Sequence, residues 1–292
     1  MIDLHTHSTV SDGSDPPERI CELAAQAGCS AVALTDHDNL AGLRPAAQAA
    51  ERLGIRLVAG CEVSCTKPAP PPGSGPVSGS VHVLVYFVED TGGPLQSELA
   101  ALRDDRAERN RRLLGRLHDL GIAIDYDDVV AEAGGEEGLG RPHFARALVR
   151  AGAAEDVQDA FDRWLANGRP AYVPKARITP AQVARLADAS GGVAVLAHPL
   201  SLGLEPRHLE HLAADLAESG LGGIEAIYGR YSPEERRQLS AIARRTGLVP
   251  TGGSDYHGTF KPDLRVGTGT GDLKVPDETI EALAERLRPG TV

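Results

Sequence analysis

Short apolar runs alternate with helical segments along most of this chain, and this alternation limits the folds that it can adopt. Apolar runs that predict strands lie at residues 2–4, 31–34, 55–59, 81–88, 193–197, 223–227 and 248–251. Helical patterns separate most of them, at residues 16–27, 41–53, 180–189, 206–218 and 233–245. Strands that alternate with helices form βα units around a parallel sheet or barrel. The sequence therefore predicts an α/β barrel of seven strands.

The middle of the chain breaks this pattern. The strand signal disappears between residues 94 and 172, where the periodicity predicts helices at 96–119, 126–133, 142–151 and 155–166. We therefore predict that a first barrel part (1–95) and a second (176–292) flank a small inserted helical domain (96–175). Residues 67–80, KPAPPPGSGPVSGS, are too rich in Pro, Gly and Ser to pack and predict a flexible loop.

The composition of the chain limits which partners the protein can bind and where in the cell it is expected. A chain of 292 residues that is 41% hydrophobic can bury a full core. Its net charge of -11 repels long duplex nucleic acid, so a phosphate-bearing substrate needs a local cationic pocket or bound metal. No secretion signal, membrane-spanning run or disulfide framework is evident, which predicts a cytoplasmic protein with no membrane partner. Cys61 and Cys65 flank Glu62, and buried packing is favoured over a redox role.

Most of the unusual polar residues follow a predicted strand, at the end where βα-barrels build active sites. Imidazole or carboxylate groups come after five of the strands: His5, His7 and Asp12; Asp36, His37 and Asp38; Glu62; His198; Asp255 and His257. His82 lies inside the fourth predicted strand and reaches that rim only if the strand is staggered. Imidazole and carboxylate are ligands that Zn²⁺, Mn²⁺ and Fe²⁺ accept. The pattern thus predicts a metal site at the rim.

A structural role is the alternative for each of these residues alone. A single buried histidine is more often hydrogen-bonded to the backbone than bound to metal, and a carboxylate after a strand is often a helix cap. For Glu62 or His82 alone, both interpretations stay open. Three consecutive ionisable residues at positions 36–38 are harder to explain without a cation, because packing them together is electrostatically costly.

The motifs that carry these residues resemble those of the polymerase and histidinol phosphatase (PHP) family of metal-dependent phosphoesterases. They are DLHTHSTVSDG at 3–13, TDHD at 35–38, GCE at 60–62, the strand of His82, AHP at 197–199 and GGSDYHG at 252–258. They occur in order across nearly the whole chain. The resemblance implies a distorted (β/α)7 barrel with a small inserted helical domain, in agreement with the seven predicted strands.

The resemblance also implies a site for three metal ions, with Mn²⁺ favoured and Zn²⁺, Fe²⁺ or Mg²⁺ as alternatives. The implied ligands are His5, His7, Glu62 and Asp255 for one ion, Glu62, His82 and His198 for a second, and Asp12, His37 and His257 for a third. Glu62 would bridge. We assign the catalytic role to Asp36, His37, Asp255 and His257, with a metal-activated hydroxide as the nucleophile. Asp36 or Asp38 would assist proton transfer or orient His37, and we favour orientation for Asp38.

Within the family, the insertion resembles that of stand-alone members acting on 3′,5′-bisphosphonucleotides, AMP-like molecules or the 5′ ends of short RNA. Arg141 and His143, at a predicted helix start, are expected to contact a substrate phosphate, and Lys175 adds charge. Tyr228 is expected to stack on a base. An ordinary solvated surface is the alternative for these cations, and the arginine-rich helix at 103–112 is interpreted mainly as a salt-bridged face.

Two other functions stay open at this stage. One is a phosphatase for a small metabolite such as histidinol phosphate, whose enzymes in this family share the metal site. The other is a non-catalytic, metal-binding regulatory module like the barrel attached to bacterial replicative polymerases. The sequence does not predict the oligomeric state.

Overall fold

Seven strands form one sheet in which the spatial order follows the chain order. The computed structural model describes residues 1–90, 92–133, 135 and 139–287. The strands are β1 (Ile2–Asp3), β2 (Ala31–Leu34), β3 (Arg56–Cys65), β4 (Val81–Tyr86), β5 (Val193–Leu196), β6 (Gly223–Tyr228) and β7 (Val249–Gly253). The prediction of seven strands is confirmed, although β3 runs well past its predicted end at residue 59.

Helices separate the strands much as the sequence predicts. They are α1 (Pro17–Gln26), α2 (Leu43–Leu53), α3 (Pro94–Asp119), α4 (Tyr126–Ala133), α5 (Arg141–Arg150), α6 (Val157–Ala160), α7 (Pro180–Ala189), α8 (Pro206–Glu218), α9 (Pro233–Arg245) and α10 (Glu278–Ala284). The helix predicted at 155–166 is instead α6 followed by a π-helical turn, Phe161–Leu165. The sequence pattern did not predict α10.

The barrel closes between β7 and the segment that follows β1. The Leu4 N–H donates to the Gly252 carbonyl at 3.1 Å, and the Asp255 N–H donates to the His5 carbonyl at 2.8 Å. A Cβ atom on Gly253 would lie 2.4 Å from both the backbone nitrogen and the Cβ of His5. Glycine at this position therefore allows the close approach that makes the seven-stranded barrel nearly closed.

The direction of β4 departs from the parallel pairing that the βα pattern predicts. β4 pairs antiparallel with both β3 and β5, whereas the other pairs in the sheet are parallel. A parallel return from β3 would need a crossover, usually helical, but residues 66–80 form no helix. The chain instead reverses and starts β4 at the rim. His82, the second residue of β4, thereby reaches the rim without any stagger of the strand.

The loop between β3 and β4 packs more than its composition suggests. Val77 is buried, and Lys67 Nζ donates to its carbonyl at 2.9 Å. The Ser78 N–H donates to the Leu202 carbonyl at 3.0 Å, and the Gly79 N–H donates to the Ser201 carbonyl at 3.1 Å. The prediction that this segment would not pack is therefore wrong for its second half, which is hydrogen-bonded to the turn after β5.

Two compact units are present, one formed by residues 1–98 with the chain from Arg177 onward, and one formed by residues 99–176. In the barrel unit, apolar side chains of the strands form the core, and the Tyr86 hydroxyl donates across it to the Leu4 carbonyl at 2.8 Å. Cys61 and Cys65 are buried there, as the packing interpretation predicts. The helical unit has its own core, centred on Leu113, Leu117 and Phe144. No helix within the described ranges is long and apolar enough to span a membrane.

Asp3 stabilises the part of the barrel where β1 meets β7, by accepting hydrogen bonds from backbone N–H groups. Its side chain is fully buried, and Oδ1 accepts from the N–H groups of Ser254 at 2.8 Å and His5 at 3.2 Å. Oδ2 accepts from the Gly267 N–H at 2.7 Å. Burial raises the pKa of Asp3, although these hydrogen bonds oppose the rise. One carboxylate thus joins β1, the end of β7 and the segment near residue 267.

We expect Asp3→Ala to lower the free energy of unfolding by about 3 kcal/mol, because it leaves buried N–H groups without an acceptor. Urea denaturation followed by circular dichroism measures this change. Glu51→Ala on the exposed face of α2 is the control and is expected to change stability by less than about 0.5 kcal/mol. Equal stability of the two variants would contradict the role of Asp3.

Candidate metal centre

Nine imidazole and carboxylate side chains meet at the rim of the barrel, and we call this set the candidate centre. Its members are His5, His7, Asp12, His37, Glu62, His82, His198, Asp255 and His257. These are the nine positions that the sequence predicts as metal ligands. They follow strands β1, β2, β5 and β7, lie within β3, or begin β4. The structure brings all nine together, since the antiparallel β4 starts where its neighbours end.

Glu62 lies at the middle of the candidate centre. Its carboxylate is 1% exposed, and each of its oxygens faces a different group of histidines. Oε1 lies 3.0 Å from His82 Nδ1 and 2.9 Å from His198 Nε2. Oε2 lies 3.3 Å from His5 Nε2, 3.1 Å from His7 Nε2 and 3.2 Å from His37 Nδ1. A carboxylate arranged in this way can bridge two or more cations.

The first predicted ligand group is fully buried. His5 Nε2 and His7 Nε2 are 3.1 Å apart, and both lie 3.5 Å from Asp255 Oδ1. Ligand atoms about 2.0 Å from one tetrahedral ion lie about 3.3 Å from each other. The spacing of these nitrogen and oxygen atoms therefore fits a shared metal ion.

The third predicted group lies nearer to solvent. Asp12 is 48% exposed, with Oδ1 at 3.2 Å from His257 Nε2 and Oδ2 at 3.7 Å from His37 Nε2. His7 Nδ1 lies 3.7 Å from Asp12 Oδ1, so this group adjoins the first one. His37 Nδ1 is buried and makes no hydrogen bond although it lies 3.2 Å from Glu62 Oε2, and such an environment suits a nitrogen that binds a cation.

The second predicted group consists of Glu62, His82 and His198. His82 Nδ1 lies 3.3 Å from His198 Nε2, and both nitrogens contact the same Glu62 oxygen. His37 is also close enough to join Glu62 and His82 around one ion. The three groups thus share members, and their boundaries are less sharp than the predicted assignment.

The protonation states of Glu62, Asp12 and His7 match those that metal binding requires, whereas at His5 and His198 burial is outweighed by neighbouring carboxylates, chiefly Glu225 and Glu62, which raise the pKa values of these rings. Burial raises the pKa of Glu62, but His37, His82 and His5 outweigh it and hold the pKa well below its usual range. Burial likewise opposes ionisation of Asp12, and His37 outweighs it, so its pKa is also depressed. Burial and His257 lower the pKa of His7, which favours the neutral ring. Ionised carboxylates and neutral imidazoles are the ligand forms that divalent ions bind.

Glu225 supports the centre from β6, and the sequence analysis missed it. It is 0% exposed, its Oε1 lies 2.9 Å from His5 Nδ1, and its Oε2 accepts from the His198 N–H at 2.7 Å. A carboxylate on one ring nitrogen fixes the other nitrogen as the one available to metal. The available signal was a glutamate inside the otherwise apolar strand GIEAIY.

Asp36 and Asp38 follow β2 but bond to different partners. Asp36 accepts from the Ser8 N–H and hydroxyl and from the Ser11 hydroxyl, each at 2.7 Å. Asp38 accepts from the Ser64 N–H at 2.9 Å and from its hydroxyl at 3.2 Å. These bonds connect β2 to the loop after β1 and to β3. A part for Asp36 in proton transfer stays a prediction.

Backbone strain is concentrated at the centre. Among the non-glycine residues that the structure describes, positive φ angles occur at Asp38 (52°), Phe87 (64°), His198 (26°) and Asp255 (55°). Three of these four lie in or beside the candidate centre. Such conformations persist only where the surrounding contacts enforce them, and they cluster at functional sites.

The predicted substrate contacts lie in different surroundings. Tyr228, in the barrel unit, is 8% exposed, and its hydroxyl donates to Asp255 Oδ2 at 2.7 Å. Arg141 begins α5 in the helical unit, with Nη1 donating to the Leu165 carbonyl and the guanidinium 5.4 Å from the Tyr172 ring centre. His143 Nδ1 accepts from the Gly140 N–H at 3.0 Å, and Lys175 is half-buried.

Arg109 in α3 differs from the predicted salt-bridged face. It is 4% exposed, and its Nε and Nη1 atoms are buried without hydrogen-bond partners. Burial and the positive charges of Arg141 and Arg106 lower its pKa to about 10. Asp105 opposes this fall in the pKa of Arg109 but does not outweigh the other effects. Because Arg109 lies in a charge-rich stretch, the sequence did not indicate that its side chain is buried.

Comparison with known proteins places these observations in a family. The PHP domain matches residues 3–167. The chain is 35% identical to a 3′,5′-nucleoside bisphosphate phosphatase of Chromobacterium violaceum, over 88% of this chain and 87% of that one. It is 34% identical to the 5′-3′ exoribonuclease Rnm of Escherichia coli, over 88% and 85%. A phosphoribosyl 1,2-cyclic phosphate 1,2-diphosphodiesterase of Eggerthella lenta is 35% identical over 88% and 94%.

A solved structure agrees with the sequence relatives. A Bifidobacterium adolescentis protein, described as a proposed metal-dependent phosphoesterase, superposes with a TM-score of 0.78 and 31% identity. The match covers 99% of this chain and 96% of that one. Its fold, the relatives and the matched domain agree with the barrel and with the side chains gathered at its rim. The chain belongs to the PHP domain family and is a metal-dependent phosphoesterase.

Proposed function

We propose that this enzyme hydrolyses phosphate monoesters of small nucleotides, such as 3′,5′-bisphosphonucleotides and AMP-like molecules, or acts at the 5′ end of short oligoribonucleotides. The observation that carries the proposal is the Glu62 carboxylate, whose two oxygens face five histidines at 2.9–3.3 Å. The named activities of two relatives, on a nucleoside bisphosphate and on RNA, support the substrate class.

We propose that the candidate centre holds three divalent ions, with Mn²⁺ favoured over Zn²⁺, Fe²⁺ and Mg²⁺. The three groups of ligand atoms with suitable spacing support this number. When bound, divalent ions lower the pKa of water and neutralise phosphoryl oxygens. The ionised Glu62, Asp12 and Asp255 supply the negative charge that retains such ions, and Glu225 orients the His5 ring and accepts a hydrogen bond from the backbone N–H of His198.

Some residues of the chain are proposed to act at the reacting phosphate, and others to keep those residues in position. His37, Asp255 and His257 are proposed to act at the reacting phosphate, because they line the part of the centre beside the half-exposed Asp12. Asp36 is proposed to assist catalysis indirectly, because its hydrogen bonds with Ser8 and Ser11 fix the loop after β1. Donors that their neighbours already hold in place need little reorganisation during the reaction.

We propose that Arg141, His143 and Lys175 bind a phosphate of the substrate and that Tyr228 helps to position it. Arg109 is buried, and this burial together with the positive charge of Arg141 lowers its pKa. This concentration of positive charge supports an anion-binding role for the helical unit. Arginine suits this task because its planar fork binds phosphate oxygens in pairs. A cytoplasmic location stays a prediction.

A substrate panel separates the proposed activity from its alternatives. The similarity to the cyclic phosphate diesterase favours a phosphodiester as a second candidate substrate. We would measure product release by Mn²⁺-loaded protein from adenosine 3′,5′-bisphosphate, AMP, a 5′-phosphorylated RNA dinucleotide, phosphoribosyl 1,2-cyclic phosphate and histidinol phosphate. Preference for the nucleotides, abolished by a chelator, is expected. Preference for histidinol phosphate would assign the metabolite activity, and bound metal without any turnover would indicate a regulatory module.

We expect His37→Ala and Asp255→Asn to reduce turnover at least about a hundredfold, because each removes a ligand whose partners stay in place. Isothermal titration calorimetry with Mn²⁺ should show weaker binding or a missing ion, and circular dichroism checks folding. His211→Ala, an exposed histidine of α8, is the matched control. Wild-type metal binding and turnover in His37→Ala would refute the assignment.

We expect Arg141→Ala to raise KM for adenosine 3′,5′-bisphosphate about tenfold, since one charge-assisted contact to phosphate is lost, with a smaller effect on kcat. Steady-state kinetics on Mn²⁺-loaded protein measures both constants. Arg112→Ala on the exposed face of α3 is the control and should behave as wild type. An unchanged KM in Arg141→Ala would remove this residue from the substrate site.

A further inference from the structure

Lys261, which follows β7, directs its ammonium group at the candidate centre. Its Nζ lies 2.5 Å from Asp255 Oδ2, and the Tyr228 hydroxyl donates to that same oxygen at 2.7 Å. The other oxygen, Oδ1, faces His5 and His7 at 3.5 Å and His257 at 3.4 Å. The carboxylate of Asp255 therefore presents one oxygen to the histidines and the other to a hydroxyl and an ammonium group.

The backbone holds Lys261 in this place. Its N–H donates to the Gly258 carbonyl at 3.2 Å, and its carbonyl accepts from the N–H of the buried Leu264 at 3.0 Å. Arg230 forms a two-bond ion pair with Asp263, with both bonds at 2.7 Å. Arg230 thus pairs with a carboxylate outside the candidate centre, whereas Lys261 pairs with a carboxylate that is itself a candidate metal ligand.

Orientation of Asp255 alone does not explain a charged residue here. The Tyr228 hydroxyl already occupies the same oxygen as a neutral donor. An ammonium group beside bound divalent ions repels them, because like charges at short range raise the energy of the site. The Asp255 carboxylate offsets part of this repulsion, and an anion bound at the centre would offset more of it. The Lys261 side chain is 26% exposed, so its ammonium group is accessible to such an anion.

We propose that Lys261 contacts the substrate, with its ammonium group binding an oxygen of the phosphoryl group held at the centre. The inference rests on the proposed phosphoesterase site and adds a residue to it. Asp255 keeps the ammonium near the ligand atoms before the substrate arrives. Lysine binds phosphate as a compact charge with several donors, so it can turn from the carboxylate to the phosphoryl oxygen without moving the backbone.

The first test is the binding of inorganic phosphate to Mn²⁺-loaded protein by calorimetry, which does not depend on turnover. Lys261→Met keeps the apolar stem but removes the charge, and we expect it to weaken phosphate binding about tenfold. Mn²⁺ affinity should be unchanged or increased, because a repelling charge is gone. Lys261→Arg should recover most of the phosphate affinity. Lys274→Met, at an exposed lysine of the barrel unit, is the matched control and should retain phosphate affinity within about twofold.

Phosphate affinity equal to wild type in Lys261→Met would overturn the proposal, and so would a loss of Mn²⁺ affinity in Lys261→Met that Lys274→Met does not show. Lys261→Gln, which keeps a polar head, repeats the test should the methionine variant be unstable. Failure of the nucleotide assignment is distinguishable from failure of this inference. If the protein binds phosphate through Lys261 but does not hydrolyse nucleotides, the Lys261 contact stands and only the proposed substrate class is wrong.

Discussion

A buried carboxylate surrounded by imidazoles is the interaction on which the rest of this structure depends. Glu62 is almost inaccessible to solvent and carries its negative charge inside the barrel mouth. Such a charge is stable only when cations or hydrogen-bond donors surround it. Five histidines from β4 and from the segments after β1, β2 and β5 supply that environment. The closure of the barrel, the strained backbone at the rim and the buried Glu225 all serve to hold these rings in place.

Much of the fold and of the centre could be predicted because the signals are local. Strand positions follow from apolar runs, and the His5–His7 alternation puts both rings on one side of an extended segment. The direction of β4 could not be predicted, since an apolar run has the same composition in either direction. Its reversal explains how His82 joins the centre, which the sequence made conditional on a stagger.

The residues that sequence reasoning missed share a physical cause: their roles depend on neighbours distant in the chain. Glu225 contacts a histidine 220 positions away, so nothing near it indicates a ligand partner. Arg109 looks like one charge among many in its helix, yet tertiary packing buries it. Asp36 is predicted from the conspicuous 36–38 triplet, but its contacts with the serines of another loop could not be predicted from that triplet. Local pattern indicates which side chains are unusual, and packing decides what each one does.

The placement of the helical unit has a consequence for how such enzymes diversify. Residues 99–176 interrupt the chain between β4 and β5, and every member of the candidate centre lies outside that stretch. Mutation, lengthening or replacement of the insertion therefore leaves each ligand on its own strand. Under the proposed role of this unit in substrate binding, such changes alter which molecules are accepted and leave the residues of the centre unchanged.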